Sequence, residues 1–274
     1  MNRIKNFASN TPVGFSIFIV LAFIALIIFS AVFTNRYTAE SEGWYIAGTA
    51  ARLVSTAIFV ALAAGLGWLK SAGFTHPGRW FIWILAPVLL AYGLIISSYA
   101  LTGKVTLNIP GSAIISSTGL FFLAHSLLEE TAFRGLLLPA FLKKYGRTLT
   151  GVLSSVIVSS LFFASIHFTN VLGGNPFPVV LLQAAGAFFL GILLGGLVVS
   201  GRSIYPAVLL HGLWNIAAYL SLNANSSAAA DPSAWLLQTL LMVPLAFIGI
   251  YLAWSATRQS SYQTPVNQPD LARN

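Results

Sequence analysis

Eight apolar stretches, each close to the length of a membrane-spanning helix, constrain the fold of this chain more than any other feature. About 20 apolar residues in a helix cross the ~30 Å hydrocarbon core of a bilayer. Because only a helix satisfies its own backbone hydrogen bonds in lipid, we expect each stretch to be helical. The stretches are Pro12–Thr34, Trp44–Leu69, Trp80–Thr102, Ile109–Leu128, Leu149–Phe168, Phe177–Val199, Ile204–Leu222 and Ala234–Ala256.

Composition excludes a soluble protein. Hydrophobic residues make up 57% of the 274 residues and charged residues only 7%, whereas a soluble domain carries about 25% charged residues. The net charge of +8 comes from few, scattered basic residues, so we expect no nucleic-acid partner. With no cysteine, the chain has neither disulfides nor thiolate ligands. The predicted fold class is an all-α polytopic membrane protein with about eight transmembrane helices.

The basic residues predict the orientation of the helices. With the N-terminus inside, most of the 14 Lys and Arg residues fall in cytoplasmic segments, and Arg36 and Lys104 fall outside. Both termini are therefore predicted to be cytoplasmic. Arg52 lies inside the second stretch, and we expect it to reach the outer interface by snorkelling.

One apolar stretch ends in an unusual cluster of polar residues, His125, Glu129, Glu130 and Arg134. Charges within a bilayer are costly and usually functional, although the same cluster at the water boundary would be ordinary. Glu130 and Arg134 are spaced to form an ion pair on one helix face, and His125 can share a face with Glu129. Glu129 is rotated ~100° away from Glu130 and has no cationic partner in this segment.

Two later stretches also carry polar groups. The fifth ends with Phe163 and His167, and the seventh carries His211 and Asn215, which are spaced to share a helix face. The remaining five stretches carry almost no such groups. This clustering in three stretches indicates one shared site.

These motifs, in this order, resemble those of the CPBP intramembrane proteases. That family includes the type II CAAX prenyl endopeptidases and bacterial relatives of the abortive-infection and bacteriocin-immunity branch. The resemblance covers about Ser112–Leu222 and is carried by Glu-Glu-x-x-x-Arg, Phe-x-x-x-His and His-x-x-x-Asn. It divides the chain into helices 1–3 (1–110), a CPBP-like catalytic core of helices 4–7 (111–222), an outside loop with helix 8 (223–256) and a disordered cytoplasmic tail (257–274).

The resemblance implies peptide-bond hydrolysis by an activated water. Glu129 and His167 would position and deprotonate the water, and His211 and Asn215 would stabilise the oxyanion. The supporting residues would be Glu130, Arg134, Phe163 and His125. Of these, His125 is not part of the family pattern, and its role is open.

A zinc version of this site is an alternative. Glu129, His167 and His211, with His125 as a further candidate, would be an acceptable ligand set. Since the HExxH helix of zinc proteases is absent, the metal-free mechanism is favoured and no cofactor is expected.

Two other functions compete with the enzyme. A non-catalytic immunity or scaffolding protein of the same family would keep the polar cluster as a binding site. A proton-coupled transporter would use the carboxylates as a relay, but the inverted repeat of many transporters is not seen. For the enzyme, the expected partners are membrane lipids and a CAAX-like, peptide or bacteriocin-related membrane substrate, which can be lipidated. The expected location is a bacterial cell membrane.

Helix lengths raise one difficulty for a shared site. Straight helices of 1.5 Å rise per residue, starting at one membrane surface, would hold His167 and Glu129 apart. We therefore expect residues 136–150, which include Pro139, to bend away so that the fifth helix starts late.

Overall fold

The computed structural model describes residues 2–102, 112–224 and 231–258, and within these ranges the chain is helical without strands. A π-helical turn, Phe133–Leu137, joins α5 to α6, and a 3-10 segment, Ile166–Val171, extends α7. The helices are α1 (Asn2–Asn10), α2 (Pro12–Thr34), α3 (Glu42–Gly65), α4 (Trp80–Thr102), α5 (Ser112–Ala132), α6 (Leu138–Tyr145), α7 (Leu149–Ser165), α8 (Phe177–Gly201), α9 (Tyr205–Ala224) and α10 (Pro232–Arg258).

The chain is a polytopic membrane protein. Within the described ranges, five helical segments are long and apolar enough to cross a membrane, and Trp80–Gly93 is a shorter apolar helix. The bounds of α2 and α4 coincide with the predicted stretches. Large apolar side chains such as Leu21, Ile28 and Val88 are more than 60% exposed, as expected for a surface that faces lipid. The predicted tail, from residue 259 onward, and residues 225–230 of the predicted outside loop lie outside the described residues.

Three helices enclose the segment that carries the paired glutamates. α5 packs between α3 and α9, and its continuation through the π-helical turn also contacts α7. α8 packs most extensively on α10, where Gly196 and Gly249 bring the two backbones into direct contact. Small residues at such crossings let membrane helices approach closely.

Several segments predicted to be cytoplasmic meet at one end of the bundle. Lys144 donates a hydrogen bond to the carbonyl of Asn10 at 2.6 Å, which connects α6 to the end of α1. The loop before α4 reaches the α8–α9 connection, where Ile204 N donates to the carbonyl of Gly73 at 3.3 Å. Gly73 has a positive φ of 80°, and a Cβ there would lie 2.8 Å from the Cα of Ser203. The contacts agree with the predicted grouping of these segments, while the cytoplasmic assignment stays a prediction.

The fifth helix begins where the predicted fifth stretch begins, and its late start relative to the membrane surface stays a prediction. α7 begins at Leu149, where the hydroxyl of Thr148 caps the helix by accepting a 3.0 Å hydrogen bond from Gly151 N. Threonine is a favoured residue at this position because it satisfies a free backbone donor. The π-helical turn Phe133–Leu137 and the short helix α6 lie between α5 and α7.

Candidate active site

The π-helical turn follows directly on the two glutamates of α5. Pro139, one turn later, has no N–H, and its ring would clash with the carbonyl of Gly135 in a regular α-helix. In the structure, Leu138 N bonds the carbonyl of Phe133, five residues back, so the turn widens around this position. Such π turns are frequent at functional sites. The turn places Arg134 beside the end of α5.

Glu130 and Arg134 form the predicted ion pair in a fully buried position. A guanidinium nitrogen of Arg134 lies 3.1 Å from Oε1 of Glu130, and both side chains have 0% exposure. The second terminal nitrogen donates to the carbonyl of Gly191 at 3.1 Å. A Cβ at Gly191 would lie 3.1 Å from that arginine nitrogen. The glycine on α8 therefore makes room for the arginine, and the arginine connects α5 to α8.

Glu129 occupies a different environment, between two imidazoles. Its Oε1 lies 3.5 Å from Nε2 of His125, one turn earlier on α5. Its Oε2 lies 3.5 Å from Nε2 of His211 on α9. The side chain is only 6% exposed. The adjacent glutamates thus differ as the sequence suggested, since one is paired with arginine and the other faces imidazole.

His211 joins the two carboxylates. Its Nδ1 lies 2.9 Å from Oε1 of Glu130, while its Nε2 faces Glu129. An ionised carboxylate only accepts hydrogen bonds, so Nδ1 of His211 carries a proton in this contact. Nε2 is then an acceptor in the neutral ring and a donor in the imidazolium. The ring can therefore take a proton from the side of Glu129 or deliver one there.

Phe163 lies at the centre of the cluster. The Cζ of Arg134 is 4.4 Å from its ring centroid, a cation–π distance. The rings of His167 and His211 pack edgewise against it, with centroids 5.2 and 5.6 Å away. The structure thereby brings the predicted residues of α5, α7 and α9 together. Nδ1 of His167 lies 3.3 Å from the carbonyl of Phe163, which can only accept, so Nε2 is the acceptor of this half-buried ring in its neutral form.

Asn215 is oriented by a residue that the sequence did not indicate. Its Nδ2 donates to the hydroxyl of Ser126 at 3.2 Å. Ser126 is buried on α5, directly after His125. Serines that only pack helices are common in membrane chains, so no pattern in the sequence marked this one.

A cavity of about 100 Å³ opens beside the histidines. His167, His211 and Asn215 contribute polar groups to its wall, and Trp214 and Met242 are among its apolar residues. Glu129 is not among the described residues that line the cavity. It contacts His211, which is one of them. The cavity is below the ~300 Å³ of typical small-molecule pockets.

The expectation for Arg52 was wrong. Its guanidinium points into the bundle, where Nε donates to Nδ1 of His125 at 3.1 Å, and not toward the outer interface. The carbonyl of Gly48 and the hydroxyl of Ser30 accept from another of its nitrogens. A lone arginine eight residues inside an apolar stretch was the available signal, because such a charge needs a buried partner.

The alternative zinc ligand set has no support in the geometry. Within the ranges that the structure describes, no group of three or more His, Cys, Asp or Glu side chains is placed to hold a metal ion. Glu129, His167 and His211 are therefore not assembled as a metal site here. Moreover, Nδ1 of His211 bonds Glu130, and its Nε2 faces Glu129 directly at 3.5 Å.

Residues 110–217 match the family model described as type II CAAX prenyl endopeptidase Rce1-like. The matched residues include those of the candidate site on α5, α7 and α9, whereas Arg52 of α3 lies outside them. Neither a curated protein nor a solved structure matches the chain.

Proposed function

The segment 110–217 belongs to the type II CAAX prenyl endopeptidase family, and on this premise we propose that the protein is an intramembrane endopeptidase that uses Glu129 to activate water. One observation carries the proposal. A buried carboxylate lies 3.5 Å from each of two imidazoles, while its neighbour Glu130 is neutralised by Arg134. Such an arrangement suits a general base, because the proton that it receives can pass to an adjacent imidazole.

Hydrolysis begins with proton transfer from water to the Glu129 carboxylate. The water oxygen forms a bond to the carbonyl carbon of the substrate, and the carbonyl oxygen becomes an oxyanion. Nε2 of His167 accepts a hydrogen bond from the other O–H of the water and orients the nucleophile, because Nδ1 of this ring is directed at the carbonyl of Phe163. General acid–base catalysis of this kind contributes about 10²–10⁴ to the rate.

His211 and Asn215 stabilise the oxyanion, and His211 also protonates the leaving amine. As an imidazolium, His211 donates from Nε2 and is stabilised by the two carboxylates that flank it. The amide of Asn215, oriented by Ser126, supplies a second donor. The proton that Glu129 receives from the water passes to Nε2 of His211, 3.5 Å away. When the oxyanion re-forms the C=O bond and the C–N bond breaks, the leaving amine takes this proton, and both residues return to their starting charges. No covalent bond forms between the enzyme and the substrate in this mechanism.

The cavity beside His211 supports a peptide substrate. Because His211 and Asn215 line this cavity of about 100 Å³, we infer that it receives one side chain next to the scissile bond. A CAAX-like or bacteriocin-related membrane peptide fits this description, and a lipid attached to it would remain in the bilayer. We propose that the enzyme acts in a bacterial cell membrane.

The test is peptide cleavage by the full-length protein in liposomes. Farnesylated and unmodified peptides ending in CAAX sequences, together with a mixed peptide library, are incubated with wild type and with Glu129→Gln. We expect cleavage by wild type and a loss of about 10²–10⁴ in kcat for the variant. The matched control is Glu42→Gln, which changes an exposed glutamate at the start of α3.

Two outcomes would contradict the proposal. Equal rates for wild type and Glu129→Gln would remove Glu129 from the reaction. Peptide binding without cleavage by folded wild type would favour the non-catalytic immunity or scaffolding function.

A further inference from the structure

Arg52 of α3 reaches the catalytic carboxylate through His125. Its Nε lies 3.1 Å from Nδ1 of His125, and Nε2 of the same ring lies 3.5 Å from Oε1 of Glu129. We propose that Arg52 and His125 form a positioning pair that holds Glu129 in its reactive orientation. The helices before the matched segment 110–217 would thereby complete the site. The proposal rests on the proposed function for its catalytic part.

The hydrogen bond from Arg52 fixes the tautomer of His125. An arginine Nε always carries hydrogen, so Nδ1 of His125 must act as the acceptor. A neutral imidazole with an unprotonated Nδ1 has its proton on Nε2. This protonated side of the ring faces Oε1 of Glu129, with Nε2 3.5 Å from the oxygen. The other oxygen of the carboxylate faces His211.

Arg52 is itself held from several directions. Its NH1 donates to the hydroxyl of Ser30 at 3.1 Å and to the carbonyl of Gly48 at 3.2 Å. Its Cζ lies 4.2 Å from the ring centroid of Phe121, a cation–π contact. The ring of His125 stacks on Phe121 at an interplanar angle of 6°. The aromatic ring thus contacts both members of the pair and limits their movement.

Gly48 makes this arrangement sterically possible. A Cβ at this position would lie 2.7 Å from the ring of Phe121 and 3.4 Å from NH1 of Arg52. The glycine therefore lets α3 approach α5 closely enough for Arg52 to reach His125. Catalysis depends on positions held to fractions of an ångström, and a displacement of about 1 Å can cost 100-fold.

The activity test is a double-mutant cycle. Arg52→Gln and His125→Phe are each expected to lower kcat about 10- to 100-fold with little change in KM, because Glu129 loses its orientation while peptide binding persists. In the His125→Phe background, Arg52→Gln is expected to have no further effect. Arg36→Gln is the matched control, since Arg36 also lies over an aromatic ring, 5.8 Å from the centroid of Phe33, but is exposed. Additive losses from the two substitutions would overturn the proposal.

A second measurement does not need activity. Nitrogen-15 NMR of the ring nitrogens, with the chain's four histidines labelled, reports which nitrogen of His125 is protonated. We expect a protonated Nε2 and an unprotonated Nδ1 in wild type, and a changed Nδ1 resonance in Arg52→Gln. A protonated Nδ1 in wild type would overturn the proposed Arg52–His125 pair even if the protein cleaves peptides. The predicted tautomer in a folded protein that cleaves nothing would count against the proposed function instead.

Discussion

Oε1 of Glu130 accepts hydrogen bonds from both Arg134, at 3.1 Å, and His211, at 2.9 Å. One buried carboxylate oxygen therefore connects the end of α5 to α9 directly and to α8 through Arg134 and the carbonyl of Gly191. Because Glu130 has this structural task, Glu129 is left to face the two imidazoles. The difference between the adjacent glutamates comes from their partners on other helices.

Replacing Arg134 by methionine should strongly destabilise the protein. The change leaves the Glu130 carboxylate buried without its cation, which typically costs about 3–5 kcal/mol. The double variant Glu130→Gln with Arg134→Met removes both charges and should recover part of that loss. The measurement is thermal unfolding in detergent, and Arg258→Met, at an exposed arginine over Trp254, is the control. A double variant less stable than Arg134→Met would show that the buried charge is not the cause.

Gly191→Ala should lower the stability of the protein, because the added methyl group would crowd Ser160 and Arg134. A Cβ there would lie 2.9 Å from the Cβ of Ser160 and 3.1 Å from a nitrogen of Arg134. Overpacking of this kind costs about 1–3 kcal/mol, and Ser160→Gly in the same chain should restore part of the unfolding temperature. Gly119→Ala serves as the control, because its nearest neighbour would be 4.0 Å away. If Ser160→Gly restores nothing, the contact with Ser160 is not the source of the loss.

Ser126→Ala should lower catalysis while the fold persists. The substitution removes the acceptor that orients Asn215 and leaves the amide free to rotate. A hydrogen bond of this kind is worth about 0.5–1.5 kcal/mol, so we expect kcat to fall up to about tenfold. Ser155→Ala is the comparison, because the hydroxyl of Ser155 bonds only its own helix, at the carbonyl of Gly151. The same kcat for both variants would argue against an oriented Asn215 in the reaction.

Filling the cavity should change which peptides are cleaved. Gly186 lines the cavity on α8, and a leucine there would occupy the space between α8 and α10. For Gly186→Leu we expect a raised KM for peptides with bulky residues at the scissile bond and a smaller change for those with glycine or alanine. Ala185→Leu, one position away and not in the lining, is the control. A uniform loss across all peptides would indicate that the cavity does not receive a side chain.

The sequence predicted the features that depend on neighbouring residues along the chain. Hydropathy located the long helices, and four-residue spacing on one helix predicted both the Glu130–Arg134 pair and the approach of His125 to Glu129. It did not predict which helices are neighbours. The contacts of Arg52 with His125, of Glu130 with His211 and of Ser126 with Asn215 all join separate helices, and helix adjacency depends on packing that a single sequence does not reveal.

The segment between α5 and α7 also shows what a single sequence does not reveal. The sequence contained Pro139 and a conflict between helix lengths, and these observations correctly indicated that the chain is irregular between the fourth and fifth stretches. The structure has a widened helical turn in this region, which residue counting did not suggest. Because a π turn is stabilised by its neighbours and by the following proline, hydropathy alone does not locate it.

The separation of Glu130 from its two partners along the chain sets an order for biogenesis. Arg134 is four residues away, whereas His211 is 81 residues away. As the chain emerges from the ribosome, Glu130 can neutralise its charge within its own helix before α9 has been synthesised. Glu129 has only His125 nearby until that later helix is inserted. If Glu129 acts as proposed, a nascent chain that ends before His211 would carry this carboxylate into the membrane without its proton acceptor, and hydrolysis would begin only after α9 is in place.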